Sequence, residues 1–254
     1  MNRHRAVPAG SANRPWRAGA AWALALACPL ALADPGYYVV TVYNDPGKLV
    51  ADYRYWLVDR PNRNTRTWPE VGVGWHVTGR WYSELLASFI GSSRGATTLS
   101  TLNWQNDLLL TDGRHDLDVA LHTQWIKPMD GRAGYWWEFG PVLQTDIGRS
   151  QINFNLFAQR GFDALADEAT QLKYQWQLRH RWRPGLHLGA QGFGELGPWQ
   201  SWSPRSAQSH RLGPALFGSL GAGPGQLSWQ AAWLLGSTYG QPGRMFTLQL
   251  KYGY

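Results

Sequence analysis

The sequence predicts an all-β protein, a closed antiparallel up-and-down transmembrane β-barrel of about twelve strands. Three observations predict it. From Lys48 to Tyr254 apolar residues recur at every second position, segment after segment, which is the strand period and not the helical one. The connections between these segments alternate between short and long. Beyond the first 33 residues every apolar run is interrupted by Asp, Glu, Arg, Gln or Gly before it reaches the roughly 18 residues a membrane helix needs. If this chain crosses a bilayer, strands must do it.

Residues 1–33 read as a secretory signal. Arg3, Arg5, Arg14 and Arg17 precede the apolar run Ala18 to Ala27, and Ala31-Leu32-Ala33 offers small residues for cleavage before Asp34. Cleavage there leaves residues 34–254, enough for one barrel or sandwich. Cys28, the only cysteine, leaves with the leader, so the mature chain is expected to hold no disulfide and no thiol chemistry. Losing four of 24 basic residues leaves 20 against 17 acids, and a surplus of +3 gives no reason to expect a nucleic-acid partner. Residues 34–47, with Tyr37 to Tyr43 ahead of Asn44-Asp45-Pro46-Gly47, read as a periplasmic lead-in or a short strand, because a thirteenth full strand would spoil the even count.

Residues 48–254 form the barrel, and its strands are expected at 48–58, 70–78, 79–90, 97–110, 115–126, 134–146, 149–160, 170–182, 186–195, 208–220, 226–237 and 244–254. In 170–182 the residues Leu172, Tyr174, Trp176 and Leu178 alternate with Gln171, Lys173, Gln175, Gln177, Arg179 and Arg181, so one face is apolar and the other wet. In 115–126 Leu117, Val119, Leu121 and Trp125 oppose Asp116, Asp118, Ala120, His122 and Gln124. Thr78-Gly79, Thr111 to Arg114, Ile147 to Arg149 and Arg183-Pro184-Gly185 are tight, whereas 59–69, 127–133, 161–169 and 197–207 are long; 91–96 is intermediate, and 221–225 and 238–243 are nearly equal. A soluble sandwich has no reason to segregate its loops by parity. Tryptophans such as Trp56, Trp81, Trp125, Trp136, Trp182 and Trp233 stand near strand ends and suit interfacial girdles, although sandwich cores use aromatics too. Phe139-Gly140-Pro141 and Leu212-Gly213-Pro214 predict a bulge or bend in two strands, since proline cannot donate to a ladder.

The final strand, 244–254, sets Phe246, Leu248, Leu250, Tyr252 and Tyr254 on one face. In this it resembles Gram-negative outer-membrane β-barrels, whose last strand ends in an aromatic residue. The resemblance implies outer-membrane location after export, contact with lipid and lipopolysaccharide, and recognition of the strand ending at Tyr254 by the barrel-assembly machinery.

The faces opposite the apolar ones then line a lumen, and they carry Asp52, Arg54, Arg80, Glu84, Asp107, Asp116, Asp118, Glu138, Asp146, Lys173, Arg179, Arg181, Glu195, Arg211 and Lys251. Folding each hairpin about its turn places Arg80 beside Asp107, Asp107 beside Asp118, His122 between Asn103 and Glu138, and Lys173 beside Glu195. Such pairs can simply brace a narrow interior, or the unpaired remainder can select a passing solute. Lys173, Arg179, Arg181 and Arg211 are the candidates for meeting a small anion.

Catalytic patterns are missing. No histidine is followed two positions on by serine, the pair that outer-membrane phospholipase and lipid A deacylases carry; His76-Val77-Thr78 comes nearest. Asp107, Asp116 and Asp118 could serve as acid and base, but carboxylates held by Arg80 and solvent are the simpler account. No Cys or His spacing suggests zinc, and no cofactor motif is present. The sequence reading is therefore a small channel or solute-uptake porin. In size and strand count it is similar to monomeric twelve-stranded oligosaccharide channels, which line their pore with basic residues. A lipid-modifying enzyme and a non-conducting structural or adhesive barrel are the alternatives.

Overall fold

The computed structural model describes residues 36–42, 49–59, 61, 64–92, 95–129, 131, 134–163, 169–238 and 240–254. The expected leader, 1–33, lies outside the described residues.

Twelve strands form one closed antiparallel barrel in which each pairs with its neighbours in sequence and β1 closes on β12. They are β1 (Leu49–Asp59), β2 (Arg66–Thr78), β3 (Trp81–Ser92), β4 (Gly95–Leu109), β5 (Asp118–Pro128), β6 (Tyr135–Ile147), β7 (Ser150–Phe162), β8 (Gln171–Arg183), β9 (Leu186–Pro198), β10 (Ser209–Ala222), β11 (Gly225–Thr238) and β12 (Gln241–Gly253). Closure leaves no edge strand to hydrogen-bond with lipid or another chain. Along β1 burial alternates without a break: Val50, Asp52, Arg54, Trp56 and Val58 face inward, with Leu49, Ala51, Tyr53, Tyr55 and Leu57 between them. The outside bears Val71, Leu85, Trp104, Leu121, Trp125, Phe154, Leu178, Leu216 and Trp233, all exposed. A belt of this extent is what acyl chains cover and water does not.

At the end where β1 begins and β12 finishes, four of the five turns contain two residues: Gly79-Arg80, Gly148-Arg149, Pro184-Gly185 and Gly223-Pro224. Gly148 (φ +58°) and Gly185 (φ +73°) take the left-handed backbone these tight turns require. The fifth is longer than the sequence suggests, running from Leu110 to Leu117. The other end carries the longer loops 60–65, 129–134, 163–170 and 199–208, the last with a 3₁₀ turn at Arg205–Ala207, together with two short ones. By this asymmetry the two-residue turns mark the periplasmic end.

Two expectations change here. The prolines do not bulge their strands, for Leu121↔Pro141 and Gly213↔Gln191, Pro214↔Ala190 sit in unbroken register. Instead the glycine ahead of each proline lets the next strand crowd in: a Cβ on Gly140 would lie 2.0 Å from the Leu156 carbonyl oxygen, and one on Gly213 1.9 Å from that of Trp233. The register shifts fall elsewhere, between His76 and Thr78, in β3 around Ser88 to Ser92, and at both ends of β8. Trp56 and Trp136 are not girdle residues but point inward and are buried, at 1% and 5% exposure.

The largest departure is the segment 36–42. It is not a strand, and Tyr37, Tyr38, Val39, Val40 and Val42 are buried inside the barrel; residues 34–35 and 43–47 of the expected lead-in lie outside the described residues. Tyr37 and Val39 pack on Trp56, Val58, Phe193, Phe217, Leu234 and Met245 from β1 and β9–β12. Tyr38, Val40 and Val42 pack on Ala120, Val142 and Phe157 from β5–β7.

Candidate functional site in the barrel lumen

The lumen wall is built from the inward residue of each strand pair, and much of the charge on it is met by opposite charge. Arg54 on β1 sits at the centre of one cluster. Its Nε lies 2.8 Å from Asp52 Oδ2, Nη1 3.3 Å from Glu70 Oε2 and Nη2 2.6 Å from Glu84 Oε2. One planar fork can serve three carboxylates because its donors diverge, a geometry no ammonium reproduces. Lys251 Nζ approaches Asp52 Oδ2 at 3.6 Å. Asn103 Nδ2 donates to Glu70 Oε1 at 3.0 Å, and the Ser88 hydroxyl donates to the same oxygen.

A second chain crosses β4 to β8. Gln105 Nε2 donates to Asp107 Oδ2 at 2.7 Å, Asp107 Oδ1 lies 2.6 Å from His122 Nδ1, His122 Nε2 is 3.8 Å from Glu138 Oε1, and Lys173 Nζ bonds Glu138 Oε2 at 3.0 Å. A third cluster joins β9 and β10, where Glu195 accepts from the Tyr37 hydroxyl (2.8 Å), the Ser209 hydroxyl (3.0 Å) and Arg211 Nη2 (3.4 Å).

The inserted segment is bound to all three. The Arg54 guanidinium stacks 3.5 Å from the centre of the Tyr38 ring, and Arg211 lies 4.2 Å from that of Tyr37. Tyr38 donates its hydroxyl to Gln105 Oε1 at 2.6 Å. Side chains replace a sheet ladder for the backbone: Val40 N–H donates to Gln175 Oε1 (3.3 Å), Asn155 Nδ2 to the Val40 carbonyl (2.9 Å) and Gln175 Nε2 to the Gly36 carbonyl (3.1 Å). Below the segment, on the periplasmic side, lies a cavity of about 330 Å³ that includes Tyr38, Thr41, Gln105, Asp107, Gln177, Arg179, Gln230, Gln249 and Lys251 in its lining.

The residues singled out from sequence are thus distributed unevenly. Asp107, His122, Glu138 and Lys173 form one chain, but Asp107 is opposite His122 and not Asp118. Asp118 instead opens β5 and accepts from Thr111 Oγ1 at 2.9 Å. Arg80 is an exposed turn residue, and Tyr82 takes the place opposite Asp107. His122 stands opposite Gly140 rather than between Asn103 and Glu138, and reaches Glu138 diagonally. Lys173 does pair with Glu195 in the backbone register, yet its ammonium turns to Glu138. The four bases do not converge. Lys173 and Arg211 lie toward the outer end against acids, Arg179 lines the cavity with its guanidinium 5.6 Å from the Phe217 ring, and Arg181 pairs with Asp146 at 2.8 Å in a half-exposed position near the periplasmic rim. Glu70, which sequence reading left out of the lumen, and the whole of 36–42 complete the site. Among the described residues no group of three or more His, Cys, Asp or Glu side chains is placed to hold a metal.

Comparison of the fold with solved structures finds an outer membrane channel from Pseudomonas putida F1, with a TM-score of 0.61 at 13% identity over 87% of this chain and 98% of that one. The chain has an outer-membrane barrel fold. A second similar structure is the outer membrane protein Omp33 of Acinetobacter baumannii, with a TM-score of 0.47 at 11% identity, covering 82% and 98% of the two chains. No protein-family model and no curated protein sequence matches the chain.

Proposed function

We propose that this protein is an outer-membrane channel for small polar solutes whose passage is narrowed by its own residues 36–42. The observation that carries the reading is the way that segment is held. It occupies the lumen without joining the sheet, held by apolar packing, side-chain hydrogen bonds and two aromatic–guanidinium contacts, above a polar cavity on the periplasmic side. A barrel that only needs bracing can fill its interior with side chains from the wall. One that keeps a polar cavity and a separate length of chain over it has the parts of a conduit and a constriction. The similar size of the Pseudomonas putida channel, matched over 98% of its length, supports the same reading. Under this reading the leader expected at residues 1–33 directs export, and the barrel is assembled through its C-terminal strand and meets lipopolysaccharide in a Gram-negative outer membrane; the outer-membrane barrel fold supports this placement.

Planar-bilayer recording of the mature protein tests this. The wild type should show small unitary currents, and a variant lacking residues 36–42 larger ones. A variant that is folded by its heat-dependent electrophoretic mobility but silent at all voltages and salts would leave a non-conducting barrel as the correct description.

A further inference from the structure

The cavity below the inserted segment is bordered by an unusual surface. Gln105, Gln177, Gln226, Gln230 and Gln249 all line it. Several belong to one hydrogen-bonded belt that runs around the wall: Gln191 Nε2 donates to Gln177 Oε1 (2.8 Å) and to Gln230 Oε1 (3.1 Å), Gln230 Nε2 donates to Gln249 Oε1, and Gln249 Nε2 donates to Asp52 Oδ2 (2.8 Å). The belt spans β8, β9, β11, β12 and β1.

We infer that the belt amides lining the cavity, Gln177, Gln230 and Gln249, form a binding site for a neutral, hydroxyl-rich solute of one or two sugar rings, a reading that rests on the channel function above and names its substrate class. The inference follows from what the wall has left to offer. Each primary amide carries two donor hydrogens and a carbonyl with two lone pairs, so a belt bond or two leaves capacity on both sides. A hydroxyl, itself donor and acceptor, exchanges its water for such a surface one bond at a time. A charged solute surrenders far more hydration and needs a countercharge in return. Here the countercharges are engaged: Lys251 lies against Asp52, Asp107 against His122, and Lys173 and Arg211 against Glu138 and Glu195. Arg179 also lines the cavity, beside Phe217 and the amides. The cavity, at about 330 Å³, matches the lower end of sites for small organic ligands, roughly 300 Å³.

The test compares sucrose with gluconate, an anion of similar polyol chemistry, in single-channel recording. Sucrose should reduce the open current with a saturating concentration dependence, and the isosteric double variant Gln177→Met/Gln230→Met should raise the half-saturating concentration about tenfold, whereas Gln144→Met, off the cavity, should leave it unchanged. Saturation by gluconate at lower concentration than by sucrose overturns the inference and restores the anion site read from Arg179. So does a current that falls only linearly with either solute. The wild-type comparison needs no variant to fold. Should the protein conduct nothing, the channel reading fails by itself, and equilibrium dialysis of radiolabelled sucrose against the detergent-solubilised barrel still decides the site: retention displaced by unlabelled sucrose upholds it, and no retention removes it.

Discussion

Replacing Tyr38 by alanine asks whether residues 36–42 are a movable constriction. The segment buries Tyr37, Tyr38, Val39, Val40 and Val42, and at about 1.5–3 kcal/mol for each side chain that burial is worth ~7–15 kcal/mol. Ordering residues 36–42 costs about 1–2 kcal/mol each in backbone entropy, or ~7–14 kcal/mol. The two nearly cancel, so docking is decided by particular contacts. Tyr38 supplies a large set: its ring burial, the Arg54 guanidinium at 3.5 Å and the bond to Gln105 at 2.6 Å. Taken as about 2, 2 and 1 kcal/mol, these sum to ~5 kcal/mol. At about 1.4 kcal/mol per decade, losing them shifts the docking equilibrium by roughly 10³–10⁴. Val40→Cys provides the reporter, since the one natural cysteine, Cys28, lies in the predicted leader and Val40 is 5% exposed. Maleimide should label Val40→Cys slowly in the parent and far faster when Tyr38→Ala is added, with unitary conductance rising in parallel. Tyr38→Phe keeps the ring and loses the hydroxyl, so its effect should stay within about tenfold. Labelling of the alanine variant at the parent rate would refute the reasoning and make the segment a fixed part of the barrel.

Other perturbations test the wall. Arg54→Met leaves Asp52, Glu70 and Glu84 without their shared guanidinium and should lower barrel stability by about 3–5 kcal/mol in urea titrations in lipid vesicles; Arg54→Lys should recover little of it. Gly140→Ala forces a Cβ to within 2.0 Å of the Leu156 carbonyl oxygen and should cost about 1–3 kcal/mol. Gly79→Ala, whose Cβ meets nothing within 4 Å, should stay within about 0.5 kcal/mol. Arg181→Gln breaks a pair exposed by 46% and 45%, and the same titration should register less than about 1 kcal/mol.

The pattern of these residues explains why the barrel was legible and its contents were not. Alternation over 170–182 or 226–237 sets a strand and names its lipid face, and all twelve strands follow. Register is harder. The hairpin through 111–114 appears symmetrical in sequence, but the chain stays out of the ladder from Leu110 to Leu117 and Asp107 meets His122 four residues beyond Asp118. The slip is even, so every residue keeps its face while its partner changes. At the tight Pro184-Gly185 turn symmetry alone would put Lys173 opposite Leu196, and the register shift between His180 and Arg183 brings it to Glu195. Period two also says nothing about what occupies the interior. The signal for 36–42 was on the wrong face: Trp56, Val58, Phe193, Phe217, Leu234 and Met245 are inward positions too apolar for a watery lumen. They form a socket, and Tyr37-Tyr38-Val39-Val40 is the short stretch that fills it.

That socket has a consequence for how the molecule matures. Trp56 belongs to β1 and Met245 to β12, neighbours only across the seam Val58↔Met245. Until the first and last strands zip together, the pocket for Tyr37 lacks its Trp56 and Val58 wall. Full seating of Tyr37 therefore waits for the seam, and Val39→Cys, at a position that shares that cluster, would gain its protection from maleimide as the barrel closes.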